Sequence, residues 1–175
     1  VKGGWGFVSF NSLEDLPGRV ELAVKQARFA SNAGSRLAPV RPFTDTVLTQ
    51  VKKNPVTIPL AEKKRLLDEY NDIIWRTPGM QTSVIGYGDT RKKVIFLSSS
   101  GSYIEQEKMG VTLRLTAVAA KDGDVQQVGL SAGSSGDFGE IGGLHRQAED
   151  MSRRAVELLS APRAKGGEYT VVLDP

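Results

Sequence analysis

Cysteine is absent from this 175-residue sequence, and histidine occurs once, at position 145. Without cysteine there is no disulfide framework, which fits a reducing compartment. A hydrolytic zinc site normally takes three protein ligands from His, Cys, Asp or Glu. One histidine and no thiol exclude a His-Glu-x-x-His helix, and an all-carboxylate site would suit magnesium or calcium better than zinc.

The usual catalytic groupings are also missing. His145 lies beside Arg146 on the polar side of a predicted helix, so a surface histidine is favoured over a metal ligand. A Ser-His-Asp triad would need the same histidine, and no Gly-x-Ser-x-Gly elbow precedes a helix. Glu105 and Glu107 share one face of a strand, but solvated charges at a sheet edge explain them equally well. The residues alone predict no catalytic and no metal-binding residue.

Long apolar runs are lacking as well. None approaches the roughly 20 residues of a membrane span, and the N-terminus has no charged start followed by an apolar core. The sequence therefore predicts neither a membrane anchor nor a secretion signal. The net charge is +3, but the basic residues are scattered and interleaved with acids. A polyanion site usually clusters its charge, so nucleic-acid binding is not favoured.

What the sequence does contain is a run of alternating apolar residues near its middle. From position 111 to 119 every second residue is apolar, which is the period of a strand with one buried face. Further strands are predicted at 80–88, 93–97, 103–108 and 125–131, with a tight turn at Asp122-Gly123. We therefore expect an α+β fold, in which an antiparallel β-sheet meander carries about three helices packed on one face, in two layers.

Three helices are predicted from apolar stripes at three- and four-residue intervals. The first enters at Ser12–Asp15 and stops near Gly34, the second covers 59–77, and the third covers 144–160. Residues 35–59 contain four prolines and are predicted to form a long connection. Such a connection often lies over a binding surface, but a loop that simply wraps the core is favoured.

The two ends of the sequence suggest a piece of a longer chain. The glycines around Trp5 are interpreted as a bend beside a buried tryptophan, since no nucleotide-loop helix follows them. Residues 168–173 are predicted to form a final strand buried on both faces. Because the sequence lacks an initiator methionine and stops on that strand, we expect residues 1–175 to be a single domain truncated at both ends.

A glycine-rich segment, 133–143, follows the last strand of the meander. It has no strand-turn-helix context, so it is not a nucleotide motif. A flap over a substrate and a slack linker both remain open as interpretations. The candidate substrate contacts within this segment are Gly133, Ser134, Ser135, Gly136, Asp137 and Gly139.

Several segments, taken together and in order, resemble one known family. They are Gly3-Gly-Trp-Gly-Phe-Val-Ser9, Ser98-Ser-Ser-Gly101, Leu113-Arg-Leu-Thr-Ala-Val-Ala119, and Leu158-Leu-Ser-Ala161 leading to Gly167-Glu-Tyr-Thr-Val-Val-Leu-Asp-Pro175. They resemble the N-terminal region of the TldD/PmbA family, metallopeptidases that are also labelled modulators of DNA gyrase. The resemblance covers nearly the whole chain, and its closing stretch is the most specific piece.

The resemblance implies the N-terminal domain of a zinc-dependent peptidase. In that family the closing strand leads into a His-Glu-x-x-x-His helix that carries the metal, so zinc is expected in a catalytic domain absent from these residues. No metal ligand carries over to this chain. The implied partners are a second family subunit, in a homo- or heterodimer, and unfolded or short peptides. The implied location is the cytoplasm, with no membrane and with nucleic acid disfavoured.

On this interpretation the chain is non-catalytic, walls a proteolytic chamber and restricts access to unfolded peptides. An extended peptide would add to an exposed strand edge through backbone hydrogen bonds, which makes recognition tolerant of sequence. Two alternatives remain open. One is a basic nucleic-acid-binding module related to gyrase modulation, and the other is a purely structural dimerisation domain.

Overall fold

The computed structural model describes residues 3–30, 38–162 and 165–173. The chain forms two compact units, Val1–Pro42 and Phe43–Pro175. In the first unit, helix α1 spans Leu16–Phe29 and is capped by Asp15, whose carboxylate accepts a hydrogen bond from the Gly18 amide at 3.3 Å. The cap is therefore Asp15 rather than Ser12, and the predicted stop at Gly34 lies outside the described residues.

The first unit buries little apolar surface. The expected buried tryptophan is wrong, because Trp5 is 67% exposed, and residues 5–10 form no strand. One helix and one extended segment offer too few apolar neighbours to enclose an indole ring. The glycine nearby has a different role: a Cβ on Gly6 would lie 1.8 Å from the Ala23 carbonyl oxygen, so the extended segment touches α1 backbone to backbone.

The second unit is built around one central strand. Its strands are β1 (Thr44–Val47), β2 (Met80–Leu97), β3 (Tyr103–Lys121) and β4 (Asp124–Ser134). One side of β3 pairs antiparallel with β2 along nearly its whole length. Its other side pairs parallel with β1 at residues 103–106 and antiparallel with β4 at residues 111–121. The expected meander is thus β2-β3-β4, and a parallel strand from the long connection joins it.

β2 and β3 are longer than predicted because each joins two runs that were predicted as separate strands. Lys93 Nζ lies 2.6 Å from a Glu105 oxygen, and Arg91 forms an ion pair with Glu107. Both pairs join β2 to β3, and Arg91 lies in the stretch between the predicted strands 80–88 and 93–97. The expectation of edge charges is wrong, since both glutamates lie on the central strand of the sheet.

The predicted turn between β3 and β4 is confirmed. Asp122 and Gly123 both have positive φ, 52° and 85°, as a type I′ turn requires. The flanking residues Lys121 and Asp124 are paired in register. This two-residue turn fixes which face of β4 meets the core.

Helices α2 (Leu60–Trp75) and α3 (His145–Leu158) cover one face of the sheet and confirm the α+β class. Short 3-10 helices span Pro55–Thr57 and Phe138–Ile141. The core joins the alternating face of β3 to the apolar stripes of both helices, and its buried members are Tyr70, Ile74, Val111, Leu113, Leu115, Ala117, Ala119, Phe138, Ile141, Ala148, Met151 and Ala155. No helix in the described part of the chain is long and apolar enough to cross a membrane.

The predicted final strand is wrong. Residues 168–173 form no strand, and Val172 and Leu173 are 92% and 83% exposed rather than buried on both faces. Their β-branched and apolar composition supplies strand propensity, but a strand forms only where a neighbour accepts its backbone hydrogen bonds. Within the described residues these six positions have no such neighbour.

Candidate functional site

The predicted glycine-rich segment is tied to the core at its far end. Gly133 and Ser134 close β4, a turn follows, and the 3-10 helix Phe138–Ile141 places Phe138 and Ile141 in the core at 6% and 0% exposure. The candidate contacts therefore lie together on one turn between β4 and the core. As substrate contacts they stay a prediction.

Ser134 organises this turn through a single hydroxyl. Its Oγ accepts hydrogen bonds from the amides of Gly136 at 3.2 Å and Asp137 at 3.0 Å. The same hydroxyl donates to the Asp137 carbonyl oxygen at 3.2 Å. Serine is suited to this position because one hydroxyl both donates and accepts.

Asp137 ties the turn to the long connection. Its carboxylate accepts hydrogen bonds from the Gly139 amide at 2.8 Å and the Lys52 amide at 2.9 Å, and the Phe138 amide donates to the Lys53 carbonyl at 3.0 Å. The amide bonds from Gly139 and Lys52 hold the pKa of Asp137 below its ordinary value. The carboxylate is therefore a structural anchor in its ionised form.

Gly136 allows the turn to pass close to β3. Its φ is +133°, and a Cβ there would lie 2.8 Å from Met109 Cβ and 3.1 Å from Val51 Cγ1. No other residue fits this conformation in this space without displacing its neighbours. Of the candidate glycines, this one has the clearest steric requirement.

A gap in the strand pairing lies next to this turn. On the β1 side of β3, pairing with β1 ends at Gln106 and pairing with β4 starts at Val111. Residues 107–110, here called the strand gap, have no strand partner on that side within the described chain. Thr49 Oγ1 donates to the Glu107 carbonyl at 2.6 Å and satisfies one of its backbone groups.

A cavity of about 340 Å³ opens at the strand gap. Its walls come from β1 and the connection after it, from β3, and from the turn, and they comprise Val47, Leu48, Thr49, Gln106, Glu107, Lys108, Met109 and Ser135. The sequence gives no local signal for this cavity, because its three walls lie far apart along the chain. Part of the proline-rich connection forms one wall, and Ser135 is the candidate contact that lines it.

His145 lies against α2. Its ring is 5.3 Å from the Tyr70 ring, and Nε2 is 3.5 Å from a Glu69 carboxylate oxygen, with half of the side chain exposed. Among the described residues, no three His, Asp or Glu side chains converge in a way that could hold a metal ion. The residues that the structure describes therefore do not fit a zinc site.

The buried Tyr70 joins the two helices of the core. Its hydroxyl donates to the Ile141 carbonyl at 2.7 Å and accepts from the Leu144 amide at 3.3 Å. Burial raises the pKa of this phenol, so it stays neutral. Its role is to fix the start of α3 rather than to transfer protons.

A cluster of three polar side chains lies between α2 and β2. Lys63 Nζ is 2.5 Å from Asp89 Oδ2, and the Tyr87 hydroxyl donates to the same oxygen at 2.8 Å. The hydrogen bond from Lys63 lowers the pKa of Asp89, while burial and the bond to Asp89 raise that of Tyr87. The carboxylate is thus ionised and occupied, which is typical of a structural ion pair.

Comparison with known proteins defines the class. Residues 53–159 match the model of the PmbA/TldA metallopeptidase central domain. With the α+β fold, this defines a domain of a metallopeptidase. The chain belongs to the PmbA/TldD family. The match refines the resemblance noted in the sequence, since it names the central rather than the N-terminal domain.

Two curated relatives are metalloproteases. One, from Synechocystis sp., is 37% identical over 177 residues and covers 99% of this chain. The other, from Methanocaldococcus jannaschii, is 29% identical over 181 residues and also covers 99%. The chain spans 38% and 40% of the lengths of these relatives.

Two solved structures share the fold. One is a Thermotoga maritima protein and the other a Bacteroides thetaiotaomicron protein, both named for modulation of DNA gyrase. Their TM-scores are 0.65 and 0.67, at 15% and 14% identity. Each comparison covers 90% of this chain, and 34% and 37% of the respective structures.

Proposed function

We propose that this chain is a non-catalytic domain of a zinc-dependent peptidase, and that it walls a proteolytic chamber and admits unfolded peptides. Zinc belongs to other parts of such a protein, which works in the cytoplasm together with a second family subunit. The observation that carries the proposal is the strand gap, where a cavity borders backbone of the central strand that has no strand partner on that side within the described residues. Backbone groups of this kind bind extended chains with little regard to sequence.

The walls of the cavity support this role because they are held in place. Asp137 ties the turn to the connection, and Gly136 lets the turn pack against Met109. A preformed cavity binds an extended chain at a lower entropic cost than one that must first be ordered. Ser135 and Lys108, which line the cavity, are then the side chains nearest to a bound peptide.

The rival role in nucleic-acid binding is disfavoured by the ion pairs. Lys63 pairs with Asp89, Arg91 with Glu107, and Lys93 with Glu105. Cations already paired with carboxylates release fewer counterions on meeting a phosphate backbone. These three ion pairs therefore lend the gyrase label of the structural neighbours no support.

A separate observation supports a role of this chain in contact with another protein subunit. The far end of the β2-β3 hairpin exposes apolar side chains, since Phe96 is 52% and Leu97 68% exposed. Phe43, whose backbone bonds to Ser102 and Tyr103 at the same end, is 55% exposed. Apolar groups clustered at the end of a hairpin are typical of a protein contact. We assign this end to the contact with the second family subunit.

The test uses the intact protein that contains this chain. Ser135→Trp would fill the cavity, and Ser160→Trp, at an exposed serine just after α3 and away from both proposed contact regions, is the matched control. We expect Ser135→Trp to raise KM for an unfolded substrate such as reduced casein severalfold, while zinc content stays unchanged. Equal kinetics of both variants and the parent protein would rule out the cavity as a peptide site.

A further inference from the structure

The two faces of the sheet carry different charges. In β2, β3 and β4, every carboxylate lies on the face covered by α2 and α3, namely Asp89, Glu105, Glu107 and Asp124. The opposite face, here called the open face, carries the cations Lys92, Lys108 and Arg114 and no carboxylate from these strands. Within the described residues none of these three cations forms an ion pair.

Lys108 and Arg114 lie on the central strand β3, and Lys92 lies on the neighbouring strand β2. Lys92 and Lys108 lie directly opposite each other, and Arg114 follows six positions further along β3. At about 3.4 Å per residue, that separation is roughly 20 Å. Like charges directly opposite each other destabilise a sheet, so this arrangement favours a counter-charge from outside. The nearest carboxylate on the same face belongs to β1: Asp45, beside Ile104, four positions beyond Lys108.

Side chains are sparse around Arg114. Its partners across the two ladders are Gly86 and Ser131, and all glycines within β2, β3 and β4 lie on the open face, at positions 86, 88, 110, 129 and 133. None of these five has positive φ, so the backbone does not require glycine there. Glycine inside a strand is destabilising and often marks close approach by another backbone.

Two of the glycines have room for a side chain. A Cβ on Gly86 would meet only Arg114 Cβ, at 4.0 Å, and one on Gly129 only the Leu115 carbonyl oxygen, at 3.7 Å. The rest of the Arg114 side chain therefore does not cover Gly86. Neither the backbone nor the packing of the described residues explains why these positions lack a side chain. A partner lying on the open face would explain it.

We propose that the open face binds an extended acidic polypeptide segment. One side-chain carboxylate pairs with the Arg114 guanidinium, a second, roughly 20 Å away, meets Lys92 and Lys108, and the backbone between them lies over the glycines. This rests on the proposed function, which makes extended peptides the ligands. A second copy docked by the same face would set cation against cation. The scarcity of aromatic side chains on this face disfavours single-stranded nucleic acid.

The test measures binding rather than cleavage, using the intact protein with its metal removed by a chelator. The probe is a fluorescein-labelled, end-blocked peptide with two Glu residues six positions apart, compared with its Gln counterpart by anisotropy. We expect the Glu peptide to bind about fivefold more tightly at low salt, as two exposed ion pairs allow. Arg114→Gln should remove that difference. Lys121→Gln, on the other face, should preserve it.

A second pair of variants tests whether peptide binding requires the glycines of the open face to lack side chains. Gly86→Val should weaken binding of the Glu peptide, while Gly166→Val, at a glycine with no atom within 4 Å of its Cβ position, should not. Equal affinity for the Glu and Gln peptides would overturn this inference alone. If neither peptide binds, the proposed function fails with it. Displacement of the peptide by a labelled single-stranded oligonucleotide that binds more tightly would assign the face to nucleic acid.

Discussion

Tyr70 shows how one side chain sets the position of a helix. Its hydroxyl bonds to a carbonyl and an amide in the segment that leads into α3, where His145 also lies. The sequence places Tyr70 on the apolar stripe of α2 but gives no sign of its partners. In the sequence β2, β3 and β4 separate Tyr70 from those partners, so the contact can be recognised only once the fold is known.

Tyr70→Phe should lower the free energy of unfolding by about 1–3 kcal/mol, because it leaves the buried Ile141 carbonyl without its partner. Urea denaturation followed by circular dichroism measures this. The matched control is Tyr103→Phe, whose hydroxyl meets only the exposed Glu105 carboxylate at 3.1 Å. Equal losses in the two variants would contradict the role given to Tyr70.

The lowered pKa of Asp89 makes the stability of the folded protein depend on pH. Its hydrogen bond from Lys63 lowers its pKa from the ordinary value of 3.8, so folding favours the ionised form. The stabilisation is complete above the ordinary pKa and is lost as pH falls through the lowered one. We expect the urea midpoint to fall in that acidic range, and Asp89→Asn to depend less on pH there. Asp68→Asn, at an exposed ion pair with Lys64, should follow the parent curve.

Gly136→Ala should destabilise the protein by about 2–4 kcal/mol, combining left-handed backbone strain with overpacking against Met109. Thermal unfolding measures the loss. Gly166→Ala, in open space, is the control and should change little. A stable Gly136→Ala protein would show that the turn can move away from β3, and would weaken the case for a preformed cavity.

At the scale of elements, local patterns predict what local physics decides. The alternation along 111–119, the Asp122-Gly123 turn and the stripes of α2 and α3 each involve neighbours in sequence, and all are found in the structure. The strand β1 was not predicted, because four residues within a proline-rich connection carry little periodicity. Its existence depends on the edge of β3, which is supplied 59 positions later.

The opposite error affects residues 168–173, which have strand composition but no partner edge in the described chain. The candidate site follows the same rule. Its glycine-rich turn was visible as composition, whereas the cavity required three segments to meet. Sequence alone thus predicts where a turn lies, but not what it faces.

The β3-β4 turn offers a test at this scale. Gly123→Ala should cost about 1–2 kcal/mol, because φ of 85° is unfavourable for a residue with a Cβ. Gly129→Ala, within β4 and with room for a methyl group, should cost nothing or stabilise slightly. Differential scanning calorimetry of both variants measures the contrast. A reversed order would mean that the turn does not set the register.

At the scale of the molecule, the proposed function assigns the shaping of a site to this chain and the binding of the metal to other parts of the protein. Purified alone, the 175-residue chain should take up no stoichiometric zinc and should not cleave reduced casein. The intact protein should bind zinc and cleave reduced casein, and chelation of the zinc should abolish cleavage. Zinc content by mass spectrometry and release of labelled fragments measure these outcomes. Robust cleavage by the chain alone would refute the division of labour proposed for it.

The central position of β3 also bears on the order of assembly during synthesis. β1 leaves the ribosome well before its pairing partner exists, whereas β2 and β4 each find β3 across a short loop. Pairings between distant segments form more slowly than those across short loops. We therefore expect the two hairpins to close first and β1 to complete the sheet last. Until it does, the nascent chain displays an open edge of β3 to which a chaperone or a neighbouring strand can attach.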